Sequence, residues 1–231
     1  MLWVRGGATL RMEMSTHRKA LFVALPLGLV FSSALVFHVA TGCLGRHAGF
    51  LCGMSFYWVG WCIGVPTLVR RRSAFGLLAS KRPLLVAGNW WLVLLYASTL
   101  IAPLFIYDTV HGLGLRPALL IALAVPLAII NGVCEELFWR GLFVETFPES
   151  VMWSVVVPAI LFALWHFAPQ LAMPQASPVR FVLSTLPLGL VYGVVAFRTR
   201  SAKWCAVGHS ISGILAFGGS TAVSAYHLMV G

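Results

Sequence analysis

The sequence has 231 residues, of which 60% are hydrophobic and 10% are charged, with a net charge of +10. Soluble domains carry about 25% charged residues, so this composition excludes a water-soluble globular fold. It predicts an all-α, polytopic membrane bundle, because the apolar runs are long and backbone polar groups in lipid need internal hydrogen-bond partners. The basic residues lie in short clusters between these runs, which argues against a nucleic-acid partner and for the lipid bilayer.

The apolar runs predict about seven transmembrane spans, since each span needs about 20 apolar residues. In chain order they cover residues 20–41, 48–69, 83–107, 117–141, 151–168, 181–197 and 204–229. The first run is longer than the apolar core of a signal peptide, so we interpret it as a retained span. We therefore predict a cytoplasmic N-terminal tail over residues 1–19 and a single transmembrane domain over residues 20–231.

Lys and Arg residues are distributed unequally between the two sides of the predicted spans. With the N-terminus in the cytoplasm, the inner segments hold twelve of them and the outer segments hold three. The inner ones are Arg5, Arg11, Arg18, Lys19, Arg70, Arg71, Arg72, Lys81, Arg82, Arg198, Arg200 and Lys203, and the outer ones are Arg46, Arg116 and Arg180. This bias predicts an N-in, C-out multi-pass protein, which we expect in a bacterial inner (cytoplasmic) membrane.

Two adjacent acidic residues, Glu135 and Glu136, lie inside the fourth predicted span. A carboxylate in hydrocarbon costs several kcal/mol, so such residues are functional candidates. Arg140 follows Glu136 by four residues, a spacing that favours an ion pair. Glu135 points elsewhere, and Asn131 on its helix face is a possible hydrogen-bond partner. A poorly compensated carboxyl group suits general acid/base catalysis, although both glutamates could instead pair with Arg140 and only hold helices together.

Two histidines lie within other predicted spans, His166 in the fifth and His209 in the seventh. A single membrane-embedded histidine is more often a packing residue than a catalyst. Two histidines and a carboxylate pair on three separate spans could instead bind a metal or activate a water.

Three short motifs occur in order along these spans. They are Glu135-Glu136-x-x-x-Arg140, Phe162-x-x-x-His166 and His209 in the last span. In order and spacing they resemble the three motifs of the CAAX-protease and bacteriocin-processing family, whose members are membrane-embedded proteases. The resemblance covers about residues 117–220, and the first three spans carry nothing diagnostic.

The resemblance implies peptide-bond hydrolysis within the membrane. It implies that Glu135 and His166 activate the attacking water, that Glu136 and Arg140 support the site, and that His209 stabilises the oxyanion. The family was first described as metal-dependent, and a metal-free glutamate mechanism is now favoured. Because the sequence lacks HExxH, and one Glu with two His is a sparse zinc set, we predict no metal and no cofactor, with zinc the disfavoured alternative.

Two features of the sequence count against this assignment. The family usually has Asn or Asp four residues after the last histidine, where this chain has Gly213; Ser210, Ser212, Asn131 or a backbone N–H could replace that donor. Counting about 1.5 Å per residue from an inner turn also puts His166 about 7 Å deeper than Glu135. Helix tilt or an irregular stretch between residues 141 and 150 would have to bring them together.

The expected function is that of an intramembrane endopeptidase that cuts near the C-terminus of a membrane-anchored or lipid-modified protein or peptide. A catalytically silent relative, acting as a membrane scaffold or bacteriocin-immunity factor, stays open because of Gly213. A proton-coupled transporter is a third interpretation, but it needs a polar path across the membrane, and the first three spans offer only Asn89 and a few Ser and Thr residues. The sequence leaves the substrate and the oligomeric state open.

Overall fold

A computed structural model describes residues 3–79, 82–84, 89–106, 114 and 116–230, and every regular element among them is helical. Together with the apolar character of its long helices, this confirms the predicted all-α membrane bundle. The main helices are α1 (Trp3–Leu44), α2 (Arg46–Arg70), α3 (Trp90–Ile106), α4 (Ala118–Thr146), α5 (Met152–Leu171), α6 (Pro178–Thr199), α7 (Lys203–Leu215) and α8 (Gly219–Val230).

Several of these helices contain segments that are not α-helical. Wider π-helical turns occur at Tyr57–Gly64 in α2, at Leu137–Leu142 in α4 and at Met152–Val156 in α5. A separate 3₁₀ helix, Ala74–Leu78, follows α2. Such π turns occur frequently at functional sites. The turn in α4 contains Arg140, and the turn in α2 contains Trp58, which contacts Asn131.

Five helices of the described residues are long and apolar enough to cross a membrane, namely α1 from His17 onwards, α2, α4, α5 and α6. The bent pair α7–α8 would make a sixth span. The third predicted span corresponds to α3, which has 17 residues; residues 85–88 and 107 of that prediction lie outside the described residues. The number seven and the N-in orientation therefore stay predictions.

The last predicted span, residues 204–229, is not one straight helix. It consists of α7 and α8, whose axes differ in direction by 53°. The chain between and at the start of these helices has positive φ angles at Phe217, Gly218 and Gly219. A right-handed helix cannot continue through that conformation.

The fourth predicted span is longer than expected, because α4 continues through its π turn to Thr146. Glu145 near its end pairs with two arginines at the end of α2 and just beyond it, with Arg70 Nε at 2.5 Å and Arg72 Nη2 at 2.6 Å. The expected irregular stretch is therefore confined to residues 147–150.

At the other end of the chain, α1 runs through residue 19, so the predicted boundary of the N-terminal tail falls inside a helix.

Helix α4 lies at the centre of the packing that positions the site. It packs against α7 and α8 along much of its length, and α2 and α5 contact it from other directions. One hydrophobic core fills the space between α1, α2, α4 and α5, and a second lies between α3, α6 and α7. The predicted site residues of α4, α5 and α7 meet between these two cores.

Candidate active site

The two adjacent glutamates are at the end of the α-helical part of α4, immediately before its π turn. Glu135 is 2% exposed and Glu136 is fully buried. Arg140 lies in the π turn and donates from Nη1 to Glu136 Oε1 at 3.0 Å, so the structure contains the predicted ion pair. The Arg140 guanidinium also lies over the Phe162 ring at 4.3 Å. Glu136 and Arg140 thus compensate each other in a dry environment.

His209 of α7 lies between the two carboxyl groups. Its Nδ1 is 2.8 Å from Glu136 Oε1, and its Nε2 is 3.4 Å from Glu135 Oε2. The resemblance implied that this histidine faces the oxyanion, but in the structure both of its ring nitrogens face carboxylates. It therefore joins α7 to α4 at the glutamate pair.

Charge balance limits what this cluster can hold. Glu135, Glu136, Arg140 and His209 are neutral as a group when one proton is placed either on the His209 imidazole or on Glu135. A buried cluster in lipid needs such neutrality, because an uncompensated charge is costly to desolvate. The arrangement can therefore hold one exchangeable proton between an imidazole and a carboxyl group.

His166 follows the α-helical part of α5, with one ring nitrogen fixed by the backbone. Its Nδ1 is 2.8 Å from the carbonyl oxygen of Phe162, so Nδ1 carries the hydrogen of that bond. In the neutral ring Nε2 is then an acceptor. Among the described residues, no hydrogen bond joins His166 to Glu135 directly.

Asn131, predicted to bond to Glu135, is oriented by a different residue. Trp58 of α2 donates from Nε1 to Asn131 Oδ1 at 2.9 Å. Because an indole N–H only donates, the atom facing Trp58 must be the amide oxygen. The amide NH₂ of Asn131 is left for other partners, and no hydrogen bond to Glu135 is present among the described residues.

One cavity of about 500 Å³ brings most of the predicted site residues together. Glu135, His166, His209, Asn131 and Gly213 all line it. It also extends to α3 and α6, so it reaches well beyond the glutamates. Its volume is in the range of pockets that bind small molecules or peptide segments.

The comparison with protein-family models matches residues 117–215 to the family described as type II CAAX prenyl endopeptidase Rce1-like. We call residues 117–215 the Rce1-like segment, because they are similar to this family. This match confirms the resemblance drawn from the motifs. Together with the long apolar helices, it indicates a multi-pass membrane protein. The comparison with curated proteins finds no match, and neither does the comparison with solved structures.

Small residues let the two main helices of the Rce1-like segment approach closely. A Cβ added at Gly132 of α4 would lie 2.7 Å from the backbone nitrogen of Ser210 in α7. A Cβ added at Gly213 would lie 3.0 Å from that of Ala128. This close contact of α4 and α7 is what places His209 against the glutamates.

The same contact gives a physical reason for the departure at Gly213 from the usual family residue. A larger residue there would have to displace Ala128. Two of the possible replacement donors are already used, because the Ser210 hydroxyl donates to Ala206 O at 2.7 Å and the Ser212 hydroxyl to Thr99 O at 2.8 Å. Asn131 is the candidate whose donor atoms the structure leaves unassigned.

Three aromatic residues around the site of the Rce1-like segment were not predicted from the sequence. Tyr57 and Trp58 come from α2, outside the matched segment, and Trp139 follows Glu135 by four residues in α4. Trp139 Nε1 donates to the Tyr57 hydroxyl oxygen at 2.8 Å. Their signal in the sequence is weak: buried Tyr and Trp usually have hydrogen-bond partners, but nothing in the residue pattern identifies the partner.

A structural or catalytic zinc ion needs three or four protein ligands grouped around one point. Within the described part of the chain, no three His, Cys, Asp or Glu side chains are grouped so that they could hold a metal ion. His209, one of the residues a metal would need, has both ring nitrogens against carboxyl groups. The donor set therefore does not fit a zinc centre.

Proposed function

We propose that the chain is an intramembrane endopeptidase of glutamic type that hydrolyses a peptide bond near the C-terminus of a membrane-anchored or lipid-modified protein or peptide. The observation that carries this proposal is the shared cavity: Glu135, His166 and Asn131, all from the Rce1-like segment, line one space. Its volume and mixed polar and apolar lining suit an extended peptide. The substrate then enters between the helices from the bilayer.

The proposed reaction begins with a water held between Glu135 and His166. Glu135 accepts one proton from it, while Nε2 of His166 accepts a hydrogen bond and orients the oxygen. The oxygen attacks the carbonyl carbon of the scissile peptide bond. When the tetrahedral intermediate breaks down, the proton from Glu135 passes to the leaving amine, so water and peptide give one carboxyl and one amino terminus.

The other residues of the cluster have supporting roles in this proposal. His209 keeps Glu135 in place and balances its charge, instead of facing the oxyanion. Asn131, with its oxygen occupied by Trp58, presents its NH₂ group to the developing oxyanion. Glu136 and Arg140 form the neutral pair that anchors His209.

We propose that this hydrolysis needs no metal and takes place in a bacterial cytoplasmic membrane. The metal-free chemistry is supported by the donor geometry, in which His209 is engaged by both glutamates. The excess of Lys and Arg in the inner segments supports the N-in orientation in that membrane. Neither statement depends on which peptide is cleaved.

Cleavage of a defined probe by purified protein in liposomes tests the proposal. The probe is a peptide ending in a farnesylated Cys-a-a-X sequence, with a fluorophore and a quencher on either side of the bond after the cysteine. The substitution Glu135→Gln removes the proton acceptor and should lower the rate of probe cleavage by at least about 10²-fold. Glu149→Gln is the control, because Glu149 is an exposed loop carboxylate whose ion-pair partner, among the residues the structure describes, is Arg200.

The outcomes separate the alternatives. Cleavage by the unmodified protein and by Glu149→Gln, but not by Glu135→Gln, supports the proposal. Full cleavage by Glu135→Gln would exclude Glu135 as the base. If the unmodified protein cleaves neither the farnesylated probe nor the same peptide anchored by a transmembrane helix, a catalytically silent relative is favoured.

A further inference from the structure

The face of α4 that carries Glu135 is covered by two neighbouring residues of α2. Asn131, Glu135 and Trp139 are spaced by four residues and so lie on one helix face. Trp58 donates to Asn131 at 2.9 Å, and Trp139 donates to Tyr57 at 2.8 Å. Glu135 therefore lies between two hydrogen bonds that join α2 to α4.

The bond from Trp139 determines where the Tyr57 hydroxyl can point. An indole N–H is a donor only, so Tyr57 accepts in this bond and its own hydrogen needs another acceptor. Tyr57 is fully buried, and buried hydroxyl groups are rarely left without a partner. Two polar side chains next to it interact with it electrostatically, the Glu135 carboxyl group and the Cys62 thiol. Of these, sulfur is a weak acceptor and a carboxyl oxygen is a strong one.

Aromatic packing prevents the Tyr57 ring from turning away. The ring stacks on Trp165 of α5 with centroids 3.9 Å apart and planes inclined by 21°. Trp165 immediately precedes His166, and the two rings are 5.0 Å apart. Tyr57 is therefore held between the helix that carries Glu135 and the helix that carries His166.

We propose that Tyr57 is a positioning residue for Glu135: its hydroxyl group donates to the Glu135 carboxyl group and keeps it directed at the cavity. This role rests on the proposed function, because it concerns the orientation of the proposed general base. Tyr57 lies outside residues 117–215, so the Rce1-like segment does not form the whole site by itself. Helix α2 completes it.

Infrared spectroscopy of the full-length protein in liposomes tests the hydrogen bond without any substrate. The carboxyl band that disappears in Glu135→Gln is assigned to Glu135. Tyr57→Phe removes only the hydroxyl oxygen and hydrogen, and it should shift this band. Tyr96→Phe is the matched control, because it removes another buried hydroxyl, which donates to Trp204 O at 2.8 Å, and it should leave the band unchanged.

The kinetic measurement separates positioning from a general structural role. With the farnesylated probe, Tyr57→Phe should lower kcat about tenfold, the rate equivalent of one hydrogen bond to a charged group, with KM unchanged. If Tyr57→Phe does not fold, Trp139→Phe replaces it; this variant frees the Tyr57 oxygen and should shift the same band.

A Glu135 band that stays unchanged in Tyr57→Phe or its substitute would overturn the positioning role. So would an unchanged kcat in an active protein. A shifted band in a protein that cleaves no probe would support the hydrogen bond and contradict the proposed function, so the two failures are distinguishable.

Discussion

At the scale of single residues, the Glu136–Arg140 ion pair is buried within helix α4 and joins its α-helical part to its π turn. Glu136 and Arg140 are four residues apart in the favoured order, and a helix places such residues on one face. The cost of a charge in lipid makes a pair the natural interpretation. The contacts of Asn131 and His209 could not be predicted in the same way, because their partners come from α2 and α4 and depend on tertiary packing.

The ion pair predicts a large loss of stability when only one partner is removed. Arg140→Met leaves Glu136 buried without its cation, which should cost about 3–5 kcal/mol of unfolding free energy. The double variant Glu136→Gln with Arg140→Met removes both charges and should be much less destabilised. The free energy of unfolding in detergent is measured for the unmodified protein, the single variant and the double variant. Arg18→Met is the control, because Arg18 is exposed. A single variant as stable as the unmodified protein would show that the pair does not hold the site.

At the scale of helices, the sequence predicted where α4, α5 and α6 lie but not how they end. Helix α4 continues past residue 141, where the predicted span ends, through the π turn Leu137–Leu142. No residue pattern signals that turn. The break between α7 and α8 did have a signal, the Gly218-Gly219 pair, which is typical of a turn. The surrounding apolar residues concealed it, because they match a continuous span.

The expected difference in depth between Glu135 and His166 is also explained at this scale. That expectation counted both helices from one inner turn and treated each as a regular α-helix. Helix α4 extends to Thr146, and α5 starts with the π turn Met152–Val156. In helices of this length and geometry, Glu135 and His166 line the same cavity, although no hydrogen bond joins them among the described residues.

The close approach of α4 and α7 predicts that a single methyl group disturbs the site. Gly132→Ala would place a Cβ 2.7 Å from the Ser210 backbone nitrogen, so the helices must separate and His209 must withdraw from the glutamates. We expect a loss of about 1–3 kcal/mol of stability and a strong loss of probe cleavage. Gly42→Ala is the matched control, because nothing lies within 4 Å of its added Cβ. Unchanged cleavage by Gly132→Ala would argue against the need for this contact.

At the scale of the whole molecule, hydropathy and composition were sufficient to predict a helical membrane protein. The predicted number of seven spans stays a prediction, because α3 is short and the last span is bent. The basic clusters predict the orientation of the chain but not the pairing of their side chains. The inner cluster is nevertheless organised: Arg70 and Arg72 both bind Glu145, which ties the end of α2 to the end of α4.

Labelling of single cysteines in intact cells tests the N-in, C-out orientation. Cysteine in place of Glu149, between α4 and α5, should react with a membrane-impermeant maleimide only after the membrane is permeabilised. Cysteine in place of Arg116, before α4, should react without permeabilisation. The unmodified protein gives the background, because Cys43 and Cys52 are exposed. The reverse labelling pattern would show that the N-terminus lies outside, and it would contradict the predicted orientation.

Product analysis in ¹⁸O-labelled water tests the central claim most directly, that Glu135 activates a water that cleaves a peptide bond without a metal. Purified protein with the farnesylated probe should form a product with one ¹⁸O atom in its new carboxyl terminus, and a chelator should not change the yield. Glu135→Gln should form almost none. Cleavage that persists in Glu135→Gln, or that is lost on chelation and restored by zinc, would contradict the account.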